Sequence, residues 1–285
     1  MNLFEQTKEL CRLYDIKPAR SKGQNFLIEE KIYDDIVEAA DLKSNDVVLE
    51  VGPGLGFLTA KLAKKVSRVI AVELDDKLAK VLRTGLMAQG IKNIEVVNEN
   101  VLDITDKTPL TPLFKGGSYK IVANLPYNIT SVFLRKFLSE TENKPKLMVL
   151  MLQKEVAERI VAKPGKMSLL AVSVQFYAKP EIMQIVSAEN FWPSPEVDSA
   201  IIKITPHPTP FNPPLSGGRD NEKDFFRLVK FGFSAKRKML KNNLAASFKI
   251  SQDEAESKIV KAGLNSKIRA QELSVDDWLK LFVYF

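Results

Sequence analysis

The residues of this chain with the best prospects for chemistry are amides, carboxylates and rings rather than thiols or imidazoles. Asn124-Leu125-Pro126-Tyr127 closes an apolar run, and Pro126 stiffens the turn that follows. An asparagine oxygen there, with a nearby backbone carbonyl of fixed direction, can accept both hydrogens of an exocyclic amine and leave its lone pair facing outward. Alkylation of an adenine amine needs this help, because the lone pair is delocalised into the ring and the nitrogen is a poor nucleophile. Tyr127 offers a face on which such a base stacks. No metal is needed, and none is expected. One cysteine, Cys11, and one histidine, His207, are too few for zinc, iron–sulfur or disulfide frameworks. A Ser-His-Asp triad would depend on His207, which stands in a proline-rich stretch.

A second candidate lies upstream. The apolar run Val47–Val51 leads into Gly52, Gly54 and Gly56, and a helical pattern starts at Phe57. Glycines permit a tight turn and let a ligand approach the backbone, and the helix start favours polar or negative groups. The dinucleotide fingerprint would need a glycine where Phe57 stands, and no phosphate loop ending in Gly-Lys is present. Glu73 closes the next strand, where a carboxylate can accept from both hydroxyls of a ribose. Gly52, Gly54 and Glu73 therefore suit an adenosine carried without pyrophosphate. S-adenosylmethionine is the expected cofactor.

The elements that must position these residues alternate. Val47–Val51, Val69–Glu73, Ile94–Val97, Ile121–Asn124 and Leu147–Leu152 read as strands, with helical patterns over Phe57–Lys65, Asp76–Gln89 and Ser131–Ser139 between them. Such alternation argues for an α/β fold with a parallel sheet covered on both faces. Glu181–Ser187 and Ala200–Thr205 are further strands, and Pro206, Pro208, Pro210, Pro213 and Pro214 mark a linker. The expected division is residues 1–205, a linker over 206–222, and an all-helical domain over 223–285, whose first helix spans Lys223–Phe248.

With 42 Lys and Arg against 35 Asp and Glu, the net charge is +7. Arg227, Lys230, Lys236, Arg237, Lys238, Lys241 and Lys249 equal that whole excess, and residues 226–249 contain no acid. Concentrated in one segment, the charge points to a polyanion such as RNA. The longest apolar runs are too short to span a bilayer, and Glu5, Glu9 and Asp15 interrupt the N-terminal hydrophobics. A cytoplasmic monomer with no membrane partner is expected.

Several separated motifs resemble the ribosomal RNA adenine N6,N6-dimethyltransferases of small-subunit assembly, the kasugamycin-resistance family. They are Gln24-Asn-Phe-Leu27, Glu50-Val-Gly-Pro-Gly54, Val72-Glu-Leu-Asp75, Asn124-Leu-Pro-Tyr-Asn128, Leu152-Gln-Lys-Glu-Val156, Phe191-Trp-Pro-Ser-Pro-Glu-Val-Asp-Ser199 and Phe233–Leu244. The resemblance implies a Rossmann-like class I methyltransferase domain with a mostly parallel seven-stranded sheet, then a small helical RNA-binding domain. It implies cofactor contacts at Asn25, Leu27, Gly52, Glu73 and Asn124, and at the acid after the third strand. This chain has Asn100 at that last position; Asp103 ranks below it as a substitute. Lys236 likewise replaces an arginine, a point charge for a planar fork. Phe191 would be the second ring of a base sandwich opposite Tyr127.

The implied reaction methylates N6 of two adjacent adenines in a 3′-terminal hairpin loop of 16S RNA, within an immature 30S subunit. Two rivals remain: a large-subunit RNA methylase of the macrolide-resistance type, and a non-catalytic assembly factor that keeps the pocket.

Overall fold

The computed structural model describes residues 1–18, 24–104, 118–208 and 219–285. Residues 209–218 of the expected linker, and residues 19–23 of the basic segment before Phe26, lie outside the described residues. The β-branched and apolar runs form β1 (Phe26–Leu27), β2 (Val47–Val51), β3 (Arg68–Val72), β4 (Ile94–Val97), β5 (Lys120–Asn124) and β6 (Leu147–Gln153). They continue with β7 (Ala178–Val186), β8 (Phe191–Trp192) and β9 (Ser199–Pro206). Among the described residues, seven strands form one sheet in the order β4-β3-β2-β5-β6-β9-β7. Neighbours from β4 to β6 are parallel, and β9 runs antiparallel to β6. This is the mostly parallel sheet that the alternation predicts. Its central residues, including Val48, Leu49, Val69, Ile121 and Val122, are fully buried, as strands covered on both faces must be.

Strand order reverses between β2 and β5: the chain passes from β2 to β3 and β4 on one side, then from β5 to β6 on the other. Loops leaving the two halves diverge at such a point, which opens a crevice outside the carboxyl ends of the strands. Helices α1 (Leu3–Leu13), α2 (Glu30–Ala39), α3 (Phe57–Ala63), α4 (Asp76–Ala88) and α5 (Thr130–Arg135) belong to this part of the chain. α4 starts where Asp75 accepts from the backbone N–H groups of Lys77 and Leu78, at 3.1 and 3.3 Å. α3 starts at Gly56, whose φ of +87° favours glycine and where a Cβ would meet Leu82 at 2.5 Å.

The chain divides into two compact units. One comprises Met1–Ala157 and Pro180–Pro206, the other Glu158–Lys179 and His207–Phe285. The division differs from the boundary drawn at residue 205, because residues 158–179 return to the C-terminal helices. Within that second unit Phe176 stacks on Phe225 with ring centroids 4.8 Å apart. Gly165 and Met167 also donate their backbone N–H to the Gln271 carbonyl, at 2.8 and 3.1 Å.

The single helix expected over Lys223–Phe248 is two, α8 (Arg219–Gly232) and α9 (Leu240–Phe248), after α6 (Lys154–Ile160) and α7 (Leu169–Gln175). At Gly232 a Cβ would come within 2.2 Å of the fully buried Trp278 ring, so the backbone passes where only glycine fits. Asn243 donates from Nδ2 to the Gly232 and Ala235 carbonyls, at 2.6 and 3.1 Å. The first satisfies an acceptor at the end of α8, and the second ties down the turn that follows it. The remaining helices are α10 (Gln252–Lys261) and α11 (Val275–Phe282). No helix among the described residues is long and apolar enough to cross a membrane, and no metal-ligand cluster is found among them.

Candidate active site

At the switch between β2 and β5, in the first unit, lies a cavity of about 370 Å³. Gly52, Glu73, Asn100 and Asn124 reach its wall from four adjacent parallel strands, each at or just past a carboxyl end. Asn25, Leu27, Gly54 and Pro126 line it as well. Every side chain or glycine expected at the cofactor thus lines one cavity. Gly52 and Gly54 have φ of +66° and +58°, the left-handed backbone that a tight turn after β2 demands.

Glu73 is held from behind. Its Oε2 accepts from Gly54 N at 3.1 Å and its Oε1 from Asp75 N at 2.9 Å. Two backbone donors occupy two of the carboxylate's roughly four acceptor sites, so the remainder can face a ligand. Burial pushes its pKa above the usual carboxylate range, opposed by those backbone donors. Asn98 ties the end of β4 to the end of β3 by donating to the Glu73 carbonyl at 3.0 Å.

Asn124 is the last residue of β5, opposite Met151 of β6. Leu125 continues the ladder by one bond, its N–H donating to the Met151 carbonyl at 3.2 Å, and its side chain is buried. Pro126 then turns the chain into the short 3-10 turn Tyr127–Ile129. The Asn124 amide lines the cavity with no hydrogen-bond partner among the described residues. An amide with free donors and a free acceptor, on a strand end fixed by its neighbours, can orient an amine. The Tyr127 side chain lies outside the described residues.

Phe191 differs from its expected position. It is 3% exposed, stands opposite Leu27 in the β1–β8 pair, and packs in the core with Leu27 and Tyr33. Strand pairing turns the ring inward, and it is not among the cavity's lining residues.

Glu50, the first residue of the glycine-loop motif, is one to which the sequence alone assigns no role. It lines the cavity at 1% exposure, and neither carboxyl oxygen has a hydrogen bond of good geometry. Burial pushes its pKa up to about 8, opposed by the nearby Thr59 hydroxyl and reinforced by the Glu73 charge. The available signal was a single acid within an otherwise apolar central strand.

In the second unit, Lys230, Lys236, Arg237, Lys238 and Lys249 are exposed, with Lys236–Lys238 in the turn between α8 and α9. Arg227 is also exposed and pairs with Asp224 at 3.4 Å. Lys241, also expected at the RNA, has a partner within the unit. It is half-buried and pairs with Glu256 at 2.5 Å, which ties α9 to α10.

The pattern of the family "Ribosomal RNA adenine dimethylase" matches residues 17–285. Over 280 residues the chain is 45% identical to the ribosomal RNA small subunit methyltransferase A of Dehalococcoides mccartyi (strain CBDB1), covering 98% of this chain and 92% of that one. Two solved structures share its fold. A dimethyladenosine transferase from Plasmodium falciparum has 27% identity and a TM-score of 0.73, over 89% of this chain and 94% of that one. The 23S rRNA methyltransferase ErmE has 28% identity and a TM-score of 0.72, over 91% and 99%. The glycine turn, the anchored Glu73 and the open Asn124 amide thus sit in a class I methyltransferase fold that uses S-adenosylmethionine, and the chain belongs to the ribosomal RNA adenine dimethylase family.

Proposed function

We propose that this protein dimethylates N6 of two adjacent adenines in a 3′-terminal hairpin loop of small-subunit ribosomal RNA. It acts as a cytoplasmic monomer on immature small subunits. The observation that carries the reading is the unpartnered Asn124 amide at the end of β5, in the same cavity as the backbone-anchored Glu73. The small-subunit target is supported by the D. mccartyi relative's name and by 45% identity to it.

S-adenosylmethionine, when bound, supplies an electrophilic sulfonium methyl. Glu73 takes the ribose hydroxyls on the acceptor sites its backbone donors leave, and the Gly52–Gly54 turn lets the ligand approach the backbone. Asn25 and Leu27 form the wall opposite, and Asn100 accepts from the cofactor's adenine amine. Phe191, packed behind Leu27, works as a positioning residue for that wall. Asn124 Oδ1 and a backbone carbonyl of the Leu125–Pro126 turn accept the two N–H groups of the target amine, which fixes the direction of its lone pair. Tyr127 supplies a face for the target base. After one methylation the amine keeps one hydrogen and a lone pair, so the same grip presents it again. The exposed cations Arg227, Lys230, Lys236, Arg237 and Lys238 hold RNA backbone, while Lys241 supports them by joining two helices.

Immature small subunits and naked large-subunit RNA, each incubated with radiolabelled cofactor, test the reading. Label is expected in small-subunit RNA with the wild-type chain and not with Asn124→Ala. Label in large-subunit RNA would contradict the target, and no label on either would contradict catalysis.

A further inference from the structure

The turn after β4 contains a polar pair whose arrangement carries more than the placement of Asn100 on the wall. Both ends of the Asn100 side chain are engaged by the chain itself. Oδ1 accepts from the Leu102 backbone N–H, and Nδ2 donates to Asp103 Oδ2, both at 3.0 Å. The backbone closes the same turn, with Asp103 N donating to the Asn100 carbonyl at 2.9 Å. Lys136 Nζ braces it from α5's continuation, donating to the Leu102 carbonyl at 2.8 Å. An asparagine amide can exchange its oxygen and its NH2 by a half-turn, because the two ends are nearly the same shape. Here a half-turn would set NH2 against the Leu102 N–H and oxygen against the Asp103 carboxylate. Donor would face donor, and acceptor would face acceptor. Asp103 is exposed and is not among the cavity's lining residues, yet with the Leu102 N–H it fixes which end of Asn100 is oxygen, and it is the one side chain among the described residues that does so.

We infer that Asp103 is a positioning residue that sets the cofactor's base specificity, locking Asn100 as an acceptor for a six-amino purine and against a six-oxo purine. The inference rests on the cofactor placement proposed above. In S-adenosylmethionine the ribose stands between base and sulfonium. With the ribose on Glu73 at the end of β3 and the methyl toward Asn124 at the end of β5, the base falls at the end of β4. Asn100 stands there. Its Oδ1 has two lone pairs and the Leu102 N–H uses one, so the other is open to the amine of the base. A six-oxo base would bring oxygen against oxygen unless the amide turned over, and Asp103 adds a like-end repulsion to that of the Leu102 N–H against the turn. Asn100 and Asp103 together do what a single carboxylate would do, since a carboxylate has no donor end to turn toward the ligand.

Calorimetric titration with S-adenosylhomocysteine and with S-inosylhomocysteine, its six-oxo counterpart, tests this without any methyl transfer. The wild-type chain is expected to prefer the six-amino ligand by about 100-fold or more. In Asp103→Ala that preference narrows by about tenfold, with affinity for the six-amino ligand falling and for the six-oxo ligand rising. In the double variant Asn100→Asp with Asp103→Ala, the preference returns to within about threefold of wild type, because the turnable amide is gone. Equal losses for both ligands in Asp103→Ala would overturn the inference, since a merely structural role in the turn gives that result. An unchanged preference would overturn it too. A wild-type chain that binds neither ligand would instead defeat the cofactor placement, and the inference with it.

Discussion

Glu73 and the Lys236–Lys238 turn are both charged, and the chain treats them in opposite ways. Glu73 is 7% exposed with a backbone N–H on each oxygen, so its direction is set by the main chain of the turns that follow β2 and β3. Lys236, Arg237 and Lys238 stand exposed between two helices, on long side chains. A cofactor that must present one atom to another needs groups fixed to a fraction of an ångström, and strand ends supply that. A polyanion needs a field, which works at several ångströms and tolerates mobile cations. The difference separates what geometry does in this protein from what charge does.

The largest expected effect breaks the geometric side. Asn124→Ala should slow methyl transfer by about a thousandfold at saturating cofactor, because an amine without its two acceptors loses its orientation. Quenched-flow transfer of label reads this directly, and a loss under tenfold would mean the amide does not orient the amine. Next, Glu73→Ala should weaken cofactor affinity by about 30- to 100-fold, the scale of two hydrogen bonds to a charged group, with circular dichroism unchanged. On the charge side, removing Lys236, Arg237 and Lys238 together should lower the salt slope of RNA binding by about two to three. Transfer at low salt should stay near wild type. A slope unchanged from about 50 to 200 mM salt would show that the turn contacts no phosphate.

The effect most remote from catalysis is one of stability and concerns Glu50. Its folded pKa is raised to about 8 from 4.5, so the folded chain keeps a proton that the unfolded chain releases. That contribution to stability is fully present below the unfolded pKa and is lost as pH rises through the folded one. The thermal midpoint of the cofactor-free protein should therefore fall between about pH 5 and pH 8. Glu50→Gln should flatten that part of the profile, with the remaining slope of the same sign coming from Glu73. A profile unchanged by Glu50→Gln would show that the carboxyl is ionised when buried.

Most of the site was legible because it lies at strand ends. Gly52, Glu73 and Asn124 each follow a run of apolar β-branched residues, and period and composition locate such ends well. What escaped depends on tertiary contacts. The inward turn of Phe191 follows from pairing with Leu27, more than a hundred residues earlier in the chain. The helix break after Gly232 follows from the Trp278 ring and the Asn243 amide, neither of which is local to it. Lys241 reads as one more cation until Glu256 is found beside it. The return of residues 158–179 to the C-terminal unit depends on Phe176 meeting Phe225, which no local pattern announces.

The central claim is that one ligand spans the cavity from Glu73 to Asn124. A crystal soaked with S-adenosylhomocysteine tests it most directly. The account predicts ribose oxygens about 2.7 to 3.0 Å from the Glu73 carboxylate, with the sulfur end directed at Asn124. Ligand density elsewhere on the protein, with the wall between Glu73 and Asn124 left bare, would contradict it.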